Sequence, residues 1–333
     1  MALIKCSACG SMISDKAERC PKCGAPMMEK PQNLAPPSPQ PQRPVQPQPP
    51  VYPQENYTDS SSSKVLYVII GVLAAAVLGI GGFLAWKSGL FEKFDIKAVS
   101  EQKIKTLDPV IQNLINNMVA VEGGTFTMGA TPEQGVADKD ERPTHQVTLS
   151  SFSIGRYEVT QEEWRAVMGT NPASFSGDKC PVEFVSWNDC QTFIEKLNAI
   201  TDMQFRMPTE AEWEFAARGG NNSQGYQFAG GNNLNSIGWY SGNSGSRTKE
   251  VGMKSPNELG LYDMTGNLWE WCSDWYGSYN GGSQTNPTGP ENGTSRVLRG
   301  GGWNGGAKNC RISNRDGRLP DYSSDRLGLR LAL

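Results

Sequence analysis

Residues 260–271 read GLYDMTGNLWEW, and this stretch carries the strongest structural signal in the chain. It places a glycine-bounded turn, two carboxylates and two tryptophans close together. Trp269 and Trp271 are large apolar side chains that we expect in a core, each with its indole N–H bonded to a backbone acceptor. The 333 residues include 37 glycines and 9 tryptophans, which is typical of a loop-rich domain with an aromatic core rather than a helical bundle.

Three helices are predicted around this stretch. The first covers residues 161–168 and the second residues 188–198, each with apolar side chains on one face. The third starts at Thr209 and runs to Arg218. The rest of the region favours short strands and long loops, so the expected fold class is α+β.

Further motifs occur in a fixed order on both sides of residues 260–271, between residues 118 and 333. They are MVAVEGGTFTMG (118–129), HQVTL (145–149) with YEVTQEEW (157–164), PVEFVSW (181–187), RMPTEAEWE (206–214), and RGGGW (299–303) with LGLRL (327–331). In this order they resemble the formylglycine-generating, or sulfatase-modifying factor, family. The resemblance implies a compact, loop-rich variant of the C-type lectin fold over residues 118–333.

The family's catalytic chemistry requires two cysteines, five residues apart, that follow Gly-Gly-Ser and hold Cu(I) linearly between soft thiolates. By resemblance Cys310 is the second of these, but Gly305 occupies the position of the first and Gly302 that of the serine. Cys272 could approach Cys310 instead, as a disulfide or as a metal pair. Related iron enzymes need three histidines, and His145 is the only histidine in the chain, which we expect to be structural.

Three functions remain open. The first is a domain that has lost formylglycine generation and binds a protein or another ligand. The second is a formylglycine-generating oxidase, or a related metal-dependent oxidoreductase, that uses Cu⁺ and Cys310 to convert a cysteine of a sulfatase. The third is a membrane-tethered structural component of a surface assembly.

The same resemblance implies structural calcium. The matching ligands are the side chains of Asp263 and Glu270 and the carbonyls of Gly266 and Leu268, a set of hard oxygens that suits Ca²⁺. A second calcium site would fall on two further residues, Asn235 and Asn243. The alternative is that these acids cap a turn or lie on the surface.

Residues 304–326 form a candidate ligand face between two motifs that keep the family pattern. The residues expected to contact ligand are Asp316, Arg318, Asp321, Tyr322 and Asp325. Residues 316–319 and 321–325 are all of types that an AAC codon reaches by changes at its adenines alone. This resembles cassettes diversified by retroelements on lectin-type scaffolds, and the alternative is an ordinary polar loop. A rigid core tolerates exchange of such exposed residues.

Four cysteines near the N-terminus form two Cys-x2-Cys pairs. They are Cys6, Cys9, Cys20 and Cys23, with a glycine after the second cysteine of each pair. Four thiolates at this spacing close a tetrahedral Zn²⁺ site, and so short a segment needs the metal in order to fold. A pair of disulfides or a redox dithiol is the competing interpretation. We therefore predict a zinc ribbon over residues 1–28.

The sequence between the ribbon and the domain indicates a membrane protein. Residues 29–64 are rich in Pro and Gln and should be an extended linker. Residues 65–86 carry no charge, and a helix of that length spans about 33 Å, enough for the hydrocarbon core of a bilayer. Residues 87–117 read as a charged, partly helical stalk.

Zinc thiolates persist in a reducing compartment, so the ribbon is expected in the cytoplasm, where it could meet a partner. One span then puts residues 118–333 in the periplasm or outside the cell, facing an extracytoplasmic protein or glycan ligand. The net charge of −3, with no basic stripe, does not favour nucleic acid.

Overall fold

The structure is a computed structural model that describes residues 3–5, 11–14, 19–23, 104 and 106–333. It divides into two compact units, Met1–Lys87 and Ser88–Leu333. The predicted linker and the predicted membrane span at 65–86 lie outside the described residues. Within the described part of the chain, no helix is both long enough and apolar enough to cross a bilayer.

The N-terminal unit contains a small antiparallel hairpin. Strand β1 (Leu3–Lys5) pairs with β2 (Met12–Ser14). Cys20 is buried and Cys23 is exposed, on either side of a tight turn. Cys6 and Cys9 lie outside the described residues, so the predicted four-cysteine geometry is seen only in its second half.

The described part of the larger unit contains five α-helices, which are α1 (Pro109–Asn116), α2 (Gln161–Met168), α3 (Trp187–Thr201), α4 (Glu210–Ala217) and α5 (Leu234–Ile237). The starts of α2, α3 and α4 share one local cause. Each is preceded by a Ser or Thr whose side chain accepts the N–H of the third helical residue, while the acid at that position bonds back to the cap. Such capping boxes satisfy orphan N–H groups and fix where a helix begins.

Three sheets complete the unit. The first has the order β10 (Arg315–Arg318), β9 (Arg296–Arg299), β7 (Trp269–Trp275) and β11 (Leu327–Leu329), with β11 parallel to β7. The second has the order β4 (Gly124–Met128), β5 (His145–Leu149) and β8 (Gln284–Thr285). The third pairs β3 (Met118–Val121) with β6 (Phe152–Gly155).

Two hydrophobic clusters form most of the core. One joins α1, α2 and α3 to β7, β9 and β11, and in it the rings of Trp164 and Phe193 stack at 4.9 Å. The other places α4 against β4, β5 and β7. The expected α+β class is confirmed. The predicted helix at 161–168 is confirmed residue for residue, and the one at 188–198 is longer at both ends than predicted.

Helix α1 lies inside the predicted stalk but packs into the core of the domain. Its buried residues Ile111 and Leu114 belong to the first cluster, and Asp108 caps its N-terminus. The boundary predicted at residue 118 therefore lies within the packed unit, because the apolar face of α1 needs that core to be buried.

Candidate functional site

Cys310 ends a short 3-10 helix, Ala307–Cys310, and its thiol is 1% exposed. It packs in a small apolar cluster with Phe228, Leu234 and Ile237. Burial raises the pKa of Cys310 to about 12, so at neutral pH it is a thiol and not the thiolate that a metal or a nucleophilic step requires.

Gly305, at the position of the family's first catalytic cysteine, contributes only backbone: its carbonyl accepts the N–H of Ser241 at 3.0 Å. One buried thiol and no partner thiol do not fit a two-coordinate copper site. Cys272 does not supply the missing ligand, because it packs in the second core cluster, separate from the cluster of Cys310. Cys180, Cys190, Cys272 and Cys310 all have free thiols, so the disulfide considered for Cys272 and Cys310 is not formed.

The predicted ligand face divides into two parts. Asp316 and Arg318 lie on β10 and form an ion pair with each other, at 2.7 Å, on the surface. Asp321, Tyr322 and Asp325 lie on the loop that follows, with Asp321 accepting a hydrogen bond from the side chain of Asn188. The structure thus places all five at or near the surface.

Aromatic side chains surround the loop part. Trp303 donates its indole N–H to the carbonyl of Asp325 at 2.8 Å, and its ring meets the edge of Phe175 at 5.5 Å. The backbone N–H of Phe184 donates to the carbonyl of Ser324 at 2.9 Å. Three of the six exposed large hydrophobic side chains in the described part of the chain lie here, namely Phe184, Leu319 and Tyr322.

Phe184 combines exposure with backbone strain. Its side chain is 42% exposed and its φ is 64°, in the left-handed region that a bulky residue rarely adopts. Such a conformation costs on the order of 1–3 kcal/mol, and strained residues cluster at ligand clamps. The sequence motif around Phe184 predicted only scaffold, and its exposure could not be foreseen because its neighbour in space, Ser324, lies far along the chain.

The predicted calcium loop is folded around buried charges. Asp263 Oδ2 accepts the N–H of Gly252 at 2.8 Å, and Asp263 Oδ1 is buried without a hydrogen-bond partner. Both oxygens of Glu270 lie against the guanidinium of Arg330, and one of them also accepts the indole N–H of Trp213 at 2.7 Å. Asp263 therefore has an oxygen to offer a cation, whereas Glu270 would have to exchange its present partners.

A third buried acid, Glu158, stands beside this pair and was not predicted. Its oxygens accept the backbone N–H of Leu268 at 2.9 Å and the side-chain amide of Asn267 at 2.6 Å. Burial and the nearby charges of Asp263 and Glu270 raise the pKa of Glu158 well above its usual value. Among the described residues, no three His, Cys, Asp or Glu side chains are arranged to hold a metal ion, and calcium here stays a prediction.

The second predicted calcium pair is occupied by local hydrogen bonds. Asn243 accepts the N–H of Tyr240 at 3.0 Å and donates to the carbonyl of Gly238 at 3.0 Å. The side-chain oxygen of Asn235 accepts the hydroxyl of Tyr240 at 3.1 Å. Both asparagines stabilise one turn through these hydrogen bonds, and calcium binding by them stays a prediction.

Comparison with known families identifies both the N-terminal ribbon and the C-terminal domain. Residues 103–333 match the family model described as "Sulfatase-modifying factor enzyme 1-like domain". The chain belongs to this family. Residues 5–27 match a zinc-ribbon domain, so the ribbon predicted over residues 1–28 is present.

Relatives of this sulfatase-modifying factor-like domain carry different names. A formylglycine-generating enzyme of Streptomyces coelicolor is 37% identical, over 64% of this chain and 88% of that protein. The chaperone protein LppX of Paenibacillus barcinonensis is 35% identical, over 60% of this chain and 82% of that protein. The solved structure of Treponema denticola variable protein 1 is 34% identical with a TM-score of 0.60, over 65% of this chain and 94% of that one. Family membership therefore leaves the activity open.

Proposed function

We propose that the sulfatase-modifying factor-like domain is a binding protein that has lost formylglycine generation and that holds a protein ligand on the face built by residues 304–326. The observation that carries this proposal is the exposed cluster of Phe184, Leu319 and Tyr322 around that segment, with Phe184 held in a strained backbone conformation.

The state of the catalytic positions supports the loss of activity. Cys310 is sealed in an apolar cluster with a raised pKa, and Gly305 brings no second thiol. The alternative, a copper-dependent oxidoreductase, would need both groups.

The chemistry of the face supports a protein partner. Aromatic side chains and arginine are enriched at the centres of protein interfaces, where a few of them contribute most of the binding energy. Here Tyr322 and Leu319 protrude beside the partly buried Trp303, and Arg247 lies over Phe175 at 5.7 Å. A solved relative named a variable protein supports the idea that this scaffold accepts exchange of surface residues.

A photo-crosslinking amino acid at Tyr322 in the full-length protein is expected to capture one discrete protein in intact cells. Val136 is 95% exposed and lies outside the face, so the same probe at Val136 is the matched control and should capture nothing at that size. Tyr322→Ala combined with Leu319→Ala should weaken binding of the captured protein at least tenfold, because truncating a side chain that anchors an interface costs about 2 kcal/mol or more, and about 1.4 kcal/mol is a factor of ten. Capture of glycan alone, or equal capture from both positions, would contradict a protein ligand.

The enzyme alternative has its own test. The copper-loaded full-length protein is expected to leave the cysteine of a sulfatase-type peptide unchanged, as measured by mass spectrometry. Conversion of that cysteine to formylglycine that disappears in Cys310→Ala would overturn the proposal.

We also propose that residues 65–86 anchor the protein, with the zinc ribbon in the cytoplasm and the domain in the periplasm or outside the cell. The uncharged run and the redox requirement of zinc thiolates support this orientation. Protease added to spheroplasts should release fragments of the 103–333 domain and spare an epitope placed at the ribbon. Protection of the domain would reverse the topology.

A further inference from the structure

A cavity of about 300 Å³ opens between the start of β5, the start of α4 and the loop that follows β7. It shares no lining residue with the C-terminal loop 319–326. Its charged and aromatic lining comes from residues far apart in the sequence, namely His145, Glu210, Asp274, Trp275, Tyr279 and Arg315. This volume suits a small molecule or a single side chain.

The guanidinium of Arg315 is committed to the protein. It donates to both oxygens of Glu210, at 2.7 and 2.6 Å, and to the backbone carbonyls of Gly277 at 2.7 Å and Asp140 at 3.3 Å. It also stacks on Tyr279, with its carbon 4.2 Å from the ring centre. Four of the five N–H groups of Arg315 are thus engaged within the protein, which leaves at most one donor for an anionic ligand.

Asp274 has one carboxylate oxygen that accepts no hydrogen bond from the described residues. It is 4% exposed, and its Oδ2 accepts the N–H of Glu210 and the hydroxyl of Ser273, both at 3.0 Å. Its Oδ1 accepts no hydrogen bond from the described residues, yet it is not among the polar atoms sealed from solvent. A buried carboxylate without a cation is costly, so Asp274 either takes up a proton or binds a cation at Oδ1.

The charges around Asp274 do not neutralise it. Burial, and then the negative charge of Glu210, raise the pKa of Asp274 to about 7. Glu212 is paired with Arg206, at 2.6 Å. Arg296 lies near enough for its charge to interact with that of Asp274, but it stacks on Trp275 at 3.5 Å and forms no ion pair with the carboxylate.

The remaining walls of the cavity suit an organic cation. The aromatic rings of Trp275, Tyr279 and His145 line it together with Met128 and Ala211. Aromatic faces attract ammonium groups, most strongly where water is excluded. A carboxylate acceptor beside aromatic walls is the combination that recognises a protonated primary amine.

We propose that this cavity binds a primary ammonium group, from a small amine or a lysine side chain, with Asp274 Oδ1 as its acceptor. Binding requires the ionised form of Asp274, so the affinity rises with pH while the ligand stays charged. His145, Tyr279, Glu210 and Arg315 face the same space, and Glu210, although paired with Arg315, is the neighbour whose charge raises the pKa of Asp274.

Calorimetric titration of the full-length protein in detergent with benzylammonium chloride tests this assignment. The affinity is expected to rise roughly tenfold between pH 6 and pH 8, since the ionised fraction of a group titrating near 7 changes by about that factor. At pH 6, binding should release close to one proton, measured by repeating the titration in two buffers of different ionisation enthalpy. Benzyl alcohol, which has the same shape without the charge, should bind at least tenfold more weakly at pH 8.

Asp274→Asn keeps the size of the side chain and removes its charge. It should lower the affinity for benzylammonium at least tenfold at pH 8 and abolish the pH dependence. Asp178→Asn is the same chemical change on the surface, where Asp178 pairs with Arg165, and should leave the affinity unchanged. Undiminished binding by Asp274→Asn, equal binding of benzyl alcohol, or no proton release by the unaltered protein would each overturn the proposal. The proton measurement does not depend on any variant folding.

Discussion

Replacing Glu214 with alanine is expected to lower the free energy of unfolding of the 88–333 unit by about 3–5 kcal/mol, the usual result of removing one partner of a buried ion pair. Glu214 is 0% exposed on α4 and lies between two arginines. It accepts hydrogen bonds from Arg218 at 2.8 and 2.9 Å, from Arg299, and from the N–H of Gly129 at 2.8 Å. The substitution removes the one carboxylate that both guanidinium groups share, and leaves Arg218 with Glu133 at 2.9 Å and Arg299 with Glu210 at 3.6 Å.

The substitution should also disturb the ligand face, because Arg299 binds the residues that lead into β10, a strand of that face. Arg299 donates to the carbonyls of Ile312, Ser313 and Asn314 at 2.9–3.0 Å, immediately before β10. Urea unfolding followed by fluorescence measures the loss. Glu195→Ala, at an exposed position on α3, is the matched control and should change stability by less than about 0.5 kcal/mol. A loss of less than 1 kcal/mol for Glu214→Ala would contradict the account of this network.

Removal of zinc is expected to unfold the N-terminal ribbon completely. Metal binding contributes about 10–16 kcal/mol of apparent free energy in zinc-finger peptides, and a segment this short has no core to replace it. The structure places Cys20 in a buried position next to the turn that ends at Cys23, as a metal knuckle requires. Full-length protein should contain one zinc by elemental analysis and lose it in Cys20→Ser.

Cys180→Ser supplies the control for this measurement, because Cys180 belongs to the other unit and its loss should leave the zinc content at one. Amide resonances of residues 3–23 should collapse to unfolded positions when a chelator is added. A ribbon that keeps its dispersed spectrum without metal would refute the zinc site.

Local features of this fold could be predicted from the sequence. Helix α2 has the ends that its apolar periodicity predicts, and the structure gives the local cause: Thr160 and Glu163 form a capping box, and Gly169 ends the helix in a left-handed conformation. Helix α3 exceeded its prediction because its cap is Ser186 and it runs on until Asp202, with φ of 57°. The residues that cap a helix lie within a few positions of one another in the sequence. The length of a helix depends instead on how much of its apolar face the core can bury.

The sites depend on partners that are distant in the sequence. The absence of a second thiol at Gly305 could be read directly from the chain. The engagement of Glu270 by Arg330 could not, because sixty residues separate them. The cavity at Asp274 was missed for the same reason, because its lining residues are far apart in the sequence.

Strand β11 and the residues after it contact elements that are far from them in the sequence. β11 pairs with β7, while Ala332 bridges both Ile154 and Arg206. These contacts have very large sequence separation, and loop closure must precede them, so folding should be slow. Residues 327–333 must therefore leave the ribosome before the sheet can close, and a nascent chain that lacks them cannot complete the fold. If the domain is exported, this delay keeps it unfolded long enough to be threaded through a membrane.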